Sequence, residues 1–443
     1  MAPAGESLAA RAERYLVDLV RIDTTNPPGN ETRVAEYLKG VATTEGLECD
    51  LLGGDPARLN VLIRLRGSGR PRPLLLMAHT DVVPAEPAYW TVPPFSALVR
   101  DGFLYGRGTL DDKSLLAAEL AVLVELKKRN VTLSRDIILL AEADEEAGSS
   151  GIDWLIRNAW DRIDAEFALN EGGFSMDLPS GARVFHIQTA EKVPTRAVLR
   201  VRGTAGHGSL PRPDNAVLRI SRALVRLVDA DQPVRLNTTT RRYLTDLAKQ
   251  PEYAWLAAYL PRLQRDQTAV SSANLIRERD PEIDAQLRTT IVPTVFHAGT
   301  KVNVIPTLAE AMVDVRRLPN ETHEEVFARL RKAVNDNQVE ILPDPGQQMP
   351  ATEPSSLSTA LYKQMETVFR QSAPRAVVVP YMQRGATDGA FLRRKGMAVY
   401  GVPLFRREDR ENRAHGNDER ISLANLAEGT ELLWKIVTGV AGR

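Results

Sequence analysis

Apolar residues recur at helical spacing from Glu6 to about Val20, and the pattern breaks at TTNPPGN, where Pro-Pro-Gly cannot continue a helix. A second helix is predicted from about Glu31 to Glu45, then strand, turn and strand over Leu51 to Leu65. The run Pro73 to Ala78 is continuously apolar, as in strands covered on both faces, and it stops abruptly at His79, Thr80 and Asp81. An Ala/Leu-rich helix follows over about Ser114 to Lys128. Strand Asp136 to Ala141 ends in EADEEAGSSG, and strand Glu166 to Leu169 ends in NEGG. Strands alternating with helices in this way predict an α/β fold built on a doubly wound, mostly parallel sheet.

Near Val193 the texture changes. VPTRAVLRVRGT alternates like a half-exposed antiparallel strand, GHGSLPRPDN is a Gly/Pro loop, and Ala216 to Val228 is helical. A polar helical stretch, two alternating strands (Thr289 to His297, Glu310 to Arg316), a helix and a short strand follow. From about Ala351 the α/β texture returns. The expected organisation is a catalytic domain in two parts, 1–190 and 349–443, around an inserted α+β lid or dimerisation domain at 191–348.

Composition narrows the classes. A chain of 443 residues is too long for one small core. With 57 basic and 57 acidic residues there is no polycation to bind nucleic acid or a membrane surface. The one cysteine, Cys49, excludes an intramolecular disulfide and a Cys-rich zinc ribbon, which leaves His and carboxylates as metal ligands. No run approaches the length of a membrane span. The chain is accordingly read as cytoplasmic, or as periplasmic or secreted if a signal peptide has been removed.

The chemistry-bearing residues cluster in five segments: His79 and Asp81; Asp111 and Asp112; Glu145 and Glu146; Glu171; and His415 in RAHGNDER. In open α/β sheets ligands gather beyond the carboxyl ends of strands, where most of these fall. Two imidazoles and three carboxylates, one bridging, suit a pair of zinc ions about 3.5–4 Å apart, and three carboxylates with a hydroxide balance their charge. Adjacent Glu145 and Glu146 face different ways, so one can ligate while the other is free as a general base. Taken singly, each acid pair reads as a solvated loop; their recurrence at strand ends argues otherwise. GRGTLD lacks the third glycine of a dinucleotide fingerprint, and His186, His297 and His323 match no ligand motif.

HTDVVP, GRGTLDDK, DEEAGSSG, NEGG, GHGS, NVIP and AHGNDER, in this order and over nearly the whole chain, resemble the co-catalytic di-zinc aminoacylase/carboxypeptidase family. RTTIVPTVFHAGTKVNVIP is most similar to its carboxypeptidase S branch. The resemblance implies that His79 and Glu171 complete one zinc site and Glu146 and His415 the other, with Asp111 bridging both and its peptide bond to Asp112 expected to be cis. Cobalt or manganese would be the substitutes. It further implies Glu145 as general base and His207 as oxyanion stabiliser, supplied by the second subunit of a homodimer; Asp81, two residues after His79, is on spacing alone the natural partner, by carboxylate or carbonyl, of that histidine's second ring nitrogen. Asn303 and Arg316 would hold the substrate carboxylate, with Gly385 and Thr387 assisting.

The function so implied is zinc-dependent hydrolysis of an amide bond next to a free carboxylate, by metal-activated water. The substrate would be a small peptide or an N-acyl amino acid. The alternatives are a deacylase of acetylornithine or succinyl-diaminopimelate type and a non-catalytic binding protein on the same fold.

Overall fold

The computed structural model describes residues 5–344, 346, 349–408 and 413–442. The chain forms two compact units. The first comprises Met1–Thr189, Ser355–Tyr381 and Thr387–Arg443; the second comprises Ala190–Pro354 and Met382–Ala386.

The first unit is organised by a nine-stranded sheet whose main path runs Glu48–Leu52, Asn60–Leu65, Ile137–Glu142, Leu74–His79, Phe167–Asn170, Ala398–Gly401, Arg183–Glu191, Ala376–Gln383. The four strands from Ile137–Glu142 to Ala398–Gly401 are parallel neighbours, and antiparallel pairs flank them. Side chains alternate across this sheet, and both sides are covered. Leu74, Leu76, Ala78, Ile137, Leu139 and Ala141 enter one core with the helices Leu8–Val20, Lys113–Lys128 and Leu423–Ala441. Leu75, Met77, Ile138 and Leu140 enter a second core with Ile152, Leu155, Ile163 and Leu392. Burial on both faces is why these strands read as unbroken apolar runs, and it makes the fold a doubly wound α/β sheet.

Two strands of this sheet are not apparent in the sequence pattern. Arg183–Glu191 mixes polar and apolar residues although it is almost wholly buried. Ala376–Gln383 contains Pro380, which lacks a ladder donor and argues against a central strand; it lies at the end of the sheet order, where proline is tolerated.

The second unit is antiparallel. Val339–Pro343, Ala197–Arg202, Leu308–Arg317 and Thr290–Ala298 lie side by side. Along Leu308–Arg317 buried residues alternate strictly with exposed or half-buried ones. The buried set (Ala309, Ala311, Val313, Val315) packs with Ile220 and Leu227 of helix Ala216–Asp229 and with Phe327 and Leu330 of helix His323–Val334. The latter helix starts at a capping box in which Thr322 and Glu325 satisfy each other's backbone N–H. Among the described residues no helix is long and apolar enough to cross a membrane.

Candidate metal centre

Strand register in the first unit sets the site. His79 and Glu142 are the last residues of their parallel strands and lie opposite one another. Glu145 and Glu146 follow Glu142 in the turn ahead of helix Ser150–Asn158, and Glu171 directly follows the strand ending at Asn170. Asp111 immediately precedes Asp112, the residue ahead of helix Lys113–Lys128, and the Asp111–Asp112 bond is cis. His415 comes from the loop before Arg420–Ser422, in the left-handed region at φ 63°.

Asp111 is the centre of the arrangement. Its Oδ1 lies 2.9 Å from Nε2 of His79, and its Oδ2 lies 3.1 Å from Nε2 of His415. The same His415 nitrogen is 3.1 Å from Oε1 of Glu146. Two triads result, His79–Asp111–Glu171 and Asp111–Glu146–His415, each with its ligand atoms within 4.8 Å of one another.

The electrostatics show a surplus of negative charge. Burial, and then the neighbouring Glu171 carboxylate, push the Glu145 carboxyl well above the usual range; Glu171 is raised by burial and then by Asp111. Asp111 moves the other way, since His415 and His79 outweigh its burial. His415 is pushed up to about 10 by Asp111 and Glu146. Burial would lower His79, but Asp111 and Asp81 hold it well above the ordinary imidazole value.

Residues behind the ligands fix the loops. Nδ1 of His79 lies 2.9 Å from the Asp81 carbonyl and 3.5 Å from the Asp81 carboxylate. Asp81 is thus the partner of the second ring nitrogen, through its carbonyl more closely than through its carboxylate. The carboxylate accepts the backbone N–H of Glu145 at 3.1 Å and of Glu146 at 3.0 Å. Glu419, fully buried, accepts the N–H groups of Gly108, Leu110 and Asp111 and an N–H of Arg107, so it holds the whole GRGTLD loop. Asn26 donates to both Asp81 and Asp144. Sequence reasoning singles out neither Glu419 nor Asn26. The available signals are a second acid four residues after His415, and a lone amide ahead of two prolines.

Of the other expected residues, Thr387 is buried in the first unit, where its hydroxyl accepts from Asn170, the neighbour of Glu171. Gly385 falls in the second unit, as do His207, Asn303 and Arg316. There the His207 ring is exposed and held by Ser209 at 2.7 Å. Gly206–His207 pairs with Val304–Ile305, and Gly208 donates to the Asn303 carbonyl, so His207 and Asn303 share one small ribbon. Arg316 is half-buried and pairs with Asp314 at 3.0 Å.

The family model described as Peptidase family M20/M25/M40 matches residues 75–438. The chain belongs to that family. As an M20 protein it is a hydrolytic enzyme of metallopeptidase type. It is 31% identical over 384 residues to the human N-fatty-acyl-amino acid synthase/hydrolase PM20D1, covering 83% of this chain and 74% of the relative. It is 27% identical to the probable carboxypeptidase S-like 2 of Dictyostelium discoideum, covering 83% of this chain and 71% of that protein. Among solved structures, the M20 family metallo-carboxypeptidase Sso-CP2 from Sulfolobus solfataricus aligns with a TM-score of 0.74. The alignment has 21% identity and covers 97% of this chain and 98% of that one, which is a likeness of fold.

The donor set suits the metals such a family implies. Each triad combines imidazole nitrogen with carboxylate oxygen and no thiolate, a mixture that takes zinc, cobalt or manganese.

Proposed function

We propose that this chain hydrolyses an amide bond adjacent to a free carboxylate, in a small peptide or an N-acyl amino acid, with two zinc ions per chain. The observation that carries this reading is Asp111, whose two oxygens face two histidines and so belong to two triads at once. His79, Asp111 and Glu171 would hold one ion, and Asp111, Glu146 and His415 the other. Bound there, the metals would supply Lewis acidity that polarises the amide carbonyl and acidifies water.

The remaining steps belong to the protein. Glu145 takes the proton of the attacking water and passes it to the leaving amine; Asp81 fixes its backbone and that of Glu146 through their N–H groups. His207 serves the developing oxyanion, and its exposed ring is free of any acid partner among the described residues. Arg316 and Asn303 receive the substrate carboxylate, the guanidinium exchanging part of its contact with Asp314 for a bidentate pair with substrate. Gly385 and Thr387 complete the binding loop. The likeness to an N-fatty-acyl-amino acid hydrolase supports N-acyl amino acids as the first class to try.

A homodimer is part of the same reading. Thr290–Ala298 is an edge strand of the second unit with Val292 and Phe296 exposed, and the neighbouring helix Ala216–Asp229 exposes Leu218, Val225 and Val228. An apolar edge of this kind is commonly covered by a second copy.

The test is hydrolysis of matched substrates with free and amidated carboxyl groups. The free acids should be cleaved, and blocking the carboxyl should lower kcat/KM at least about 100-fold through loss of the charged pair. Equal rates on both would contradict a carboxylate-directed hydrolase.

A further inference from the structure

The segment TTNPPGNE reads as a helix-breaking loop, yet three of its polar side chains are buried. Thr24, Asn26 and Glu31 are almost fully out of solvent. The segment runs alongside the chain just beyond His79. Thr24 Oγ1 donates to the Thr80 carbonyl at 2.6 Å, the Val82 N–H donates to the Thr24 carbonyl, and the Asn26 N–H donates to the Val82 carbonyl at 2.8 Å. This zipper places the Asn26 side chain between two carboxylates.

From that position Nδ2 of Asn26 donates to Oδ2 of Asp81 at 2.7 Å and to Oδ1 of Asp144 at 2.9 Å. Each of these acids holds a different part of the same turn. Asp81 receives the N–H groups of Glu145 and Glu146. Asp144, itself at φ 67°, receives the N–H and hydroxyl of Ser150 on the far side of the turn. Arg58 joins from outside: it pairs with Asp144 at 2.9 Å and is anchored by the fully buried Glu31. A Cβ on Gly29 would meet that guanidinium at 2.4 Å, so glycine at this place lets Arg58 approach.

We propose that Asn26 is a positioning residue for the hydrolysis: its amide clamps Asp81 to Asp144 and so sets the backbone that carries Glu145 and Glu146. The residue type follows from the task. Two carboxylates forced onto one atom repel, and only a group with two N–H bonds on one nitrogen serves both without adding charge beside the ligands. A serine has one proton to give. An aspartate has the shape of asparagine and, when ionised, no proton to give at all.

The inference rests on the proposed hydrolase reading, and its test separates the two. Wild type, Asn26→Ala and Asn26→Asp are compared for kcat, KM, zinc affinity by chelator competition, and thermal stability. Both variants should lose roughly 10–100-fold in kcat or in zinc affinity, as groups behind metal ligands do, with KM changed little. Asn26→Asp should be at least as impaired as Asn26→Ala although it preserves volume, which a packing role would not produce. Variants that unfold earlier yet keep wild-type kcat and zinc affinity when folded would overturn the positioning role. So would an Asn26→Asp enzyme with wild-type kcat and zinc affinity. An inactive, metal-free wild type would sink the hydrolase reading instead.

Discussion

Arg107 and Glu419 stand 312 positions apart in the chain and meet in an ion pair of 2.6 Å with both side chains out of solvent. The pair closes the loop that carries Asp111 onto the segment that carries His415, since the Glu419 carboxylate also accepts three backbone N–H groups from that loop. Removing one partner of a buried pair leaves the other charge stranded, at a cost of about 3–5 kcal/mol. Glu419→Ala should therefore lose stability on that scale in denaturant unfolding and should bind metal more weakly. A variant as stable as wild type would show that the loop does not depend on this carboxylate.

Glu145→Gln removes the proton acceptor while keeping the shape of the side chain and the backbone N–H on Asp81. kcat should fall about 100- to 10,000-fold, the usual contribution of a general base, with metal content nearly unchanged. Elemental analysis beside steady-state kinetics reads both. A fall in metal content matching the fall in rate would make Glu145 a ligand instead.

His186, buried in the first unit, should make its stability sensitive to acid. It is buried, stacked on Phe174 with ring centroids 4.2 Å apart, edge-on to Tyr381, and burial followed by the Arg407 charge lowers it from 6.5 to about 3. Because the folded value is the lower one, acid favours the unfolded chain. The stability is whole above pH 6.5 and is lost as pH falls towards 3, at up to about 1.4 kcal/mol per pH unit. His186→Phe should flatten the stability profile between pH 6.5 and about 4.5 in denaturant titrations. An unchanged slope would place the acid sensitivity elsewhere.

The parts of the fold visible in the sequence are those whose cause is local. Residues 74–78 and 137–141 are apolar throughout because both faces are covered, and the His79 and Glu142 that end these strands stand out against that background. Leu308–Arg317 alternates because one face is covered, and that too is legible. Ala376–Gln383 is not, because Pro380 within it argues against a strand except at an edge, and edge position is a property of the assembled sheet. In the site, motif residues announce themselves, but the supporting contacts do not. Asn26 meets Asp81 across 55 positions and Asp144 across 118, and nothing in a run of TTNPPGN tells which distant acids an amide will serve. The sequence points to Asp81 as the partner of His79 without telling which oxygen serves; the carbonyl is the closer one, and the carboxylate receives the N–H groups of Glu145 and Glu146.

The central claim is that the two triads sharing Asp111 hold metal that the hydrolysis requires. The measurement is metal content per chain by elemental analysis, paired with turnover of N-acyl amino acids and dipeptides before chelation, after chelation and after zinc is restored. The account predicts near two metal ions per chain, loss of turnover with their removal and its return with zinc. A chain that binds no metal, or that hydrolyses these substrates at an undiminished rate once stripped, would contradict it.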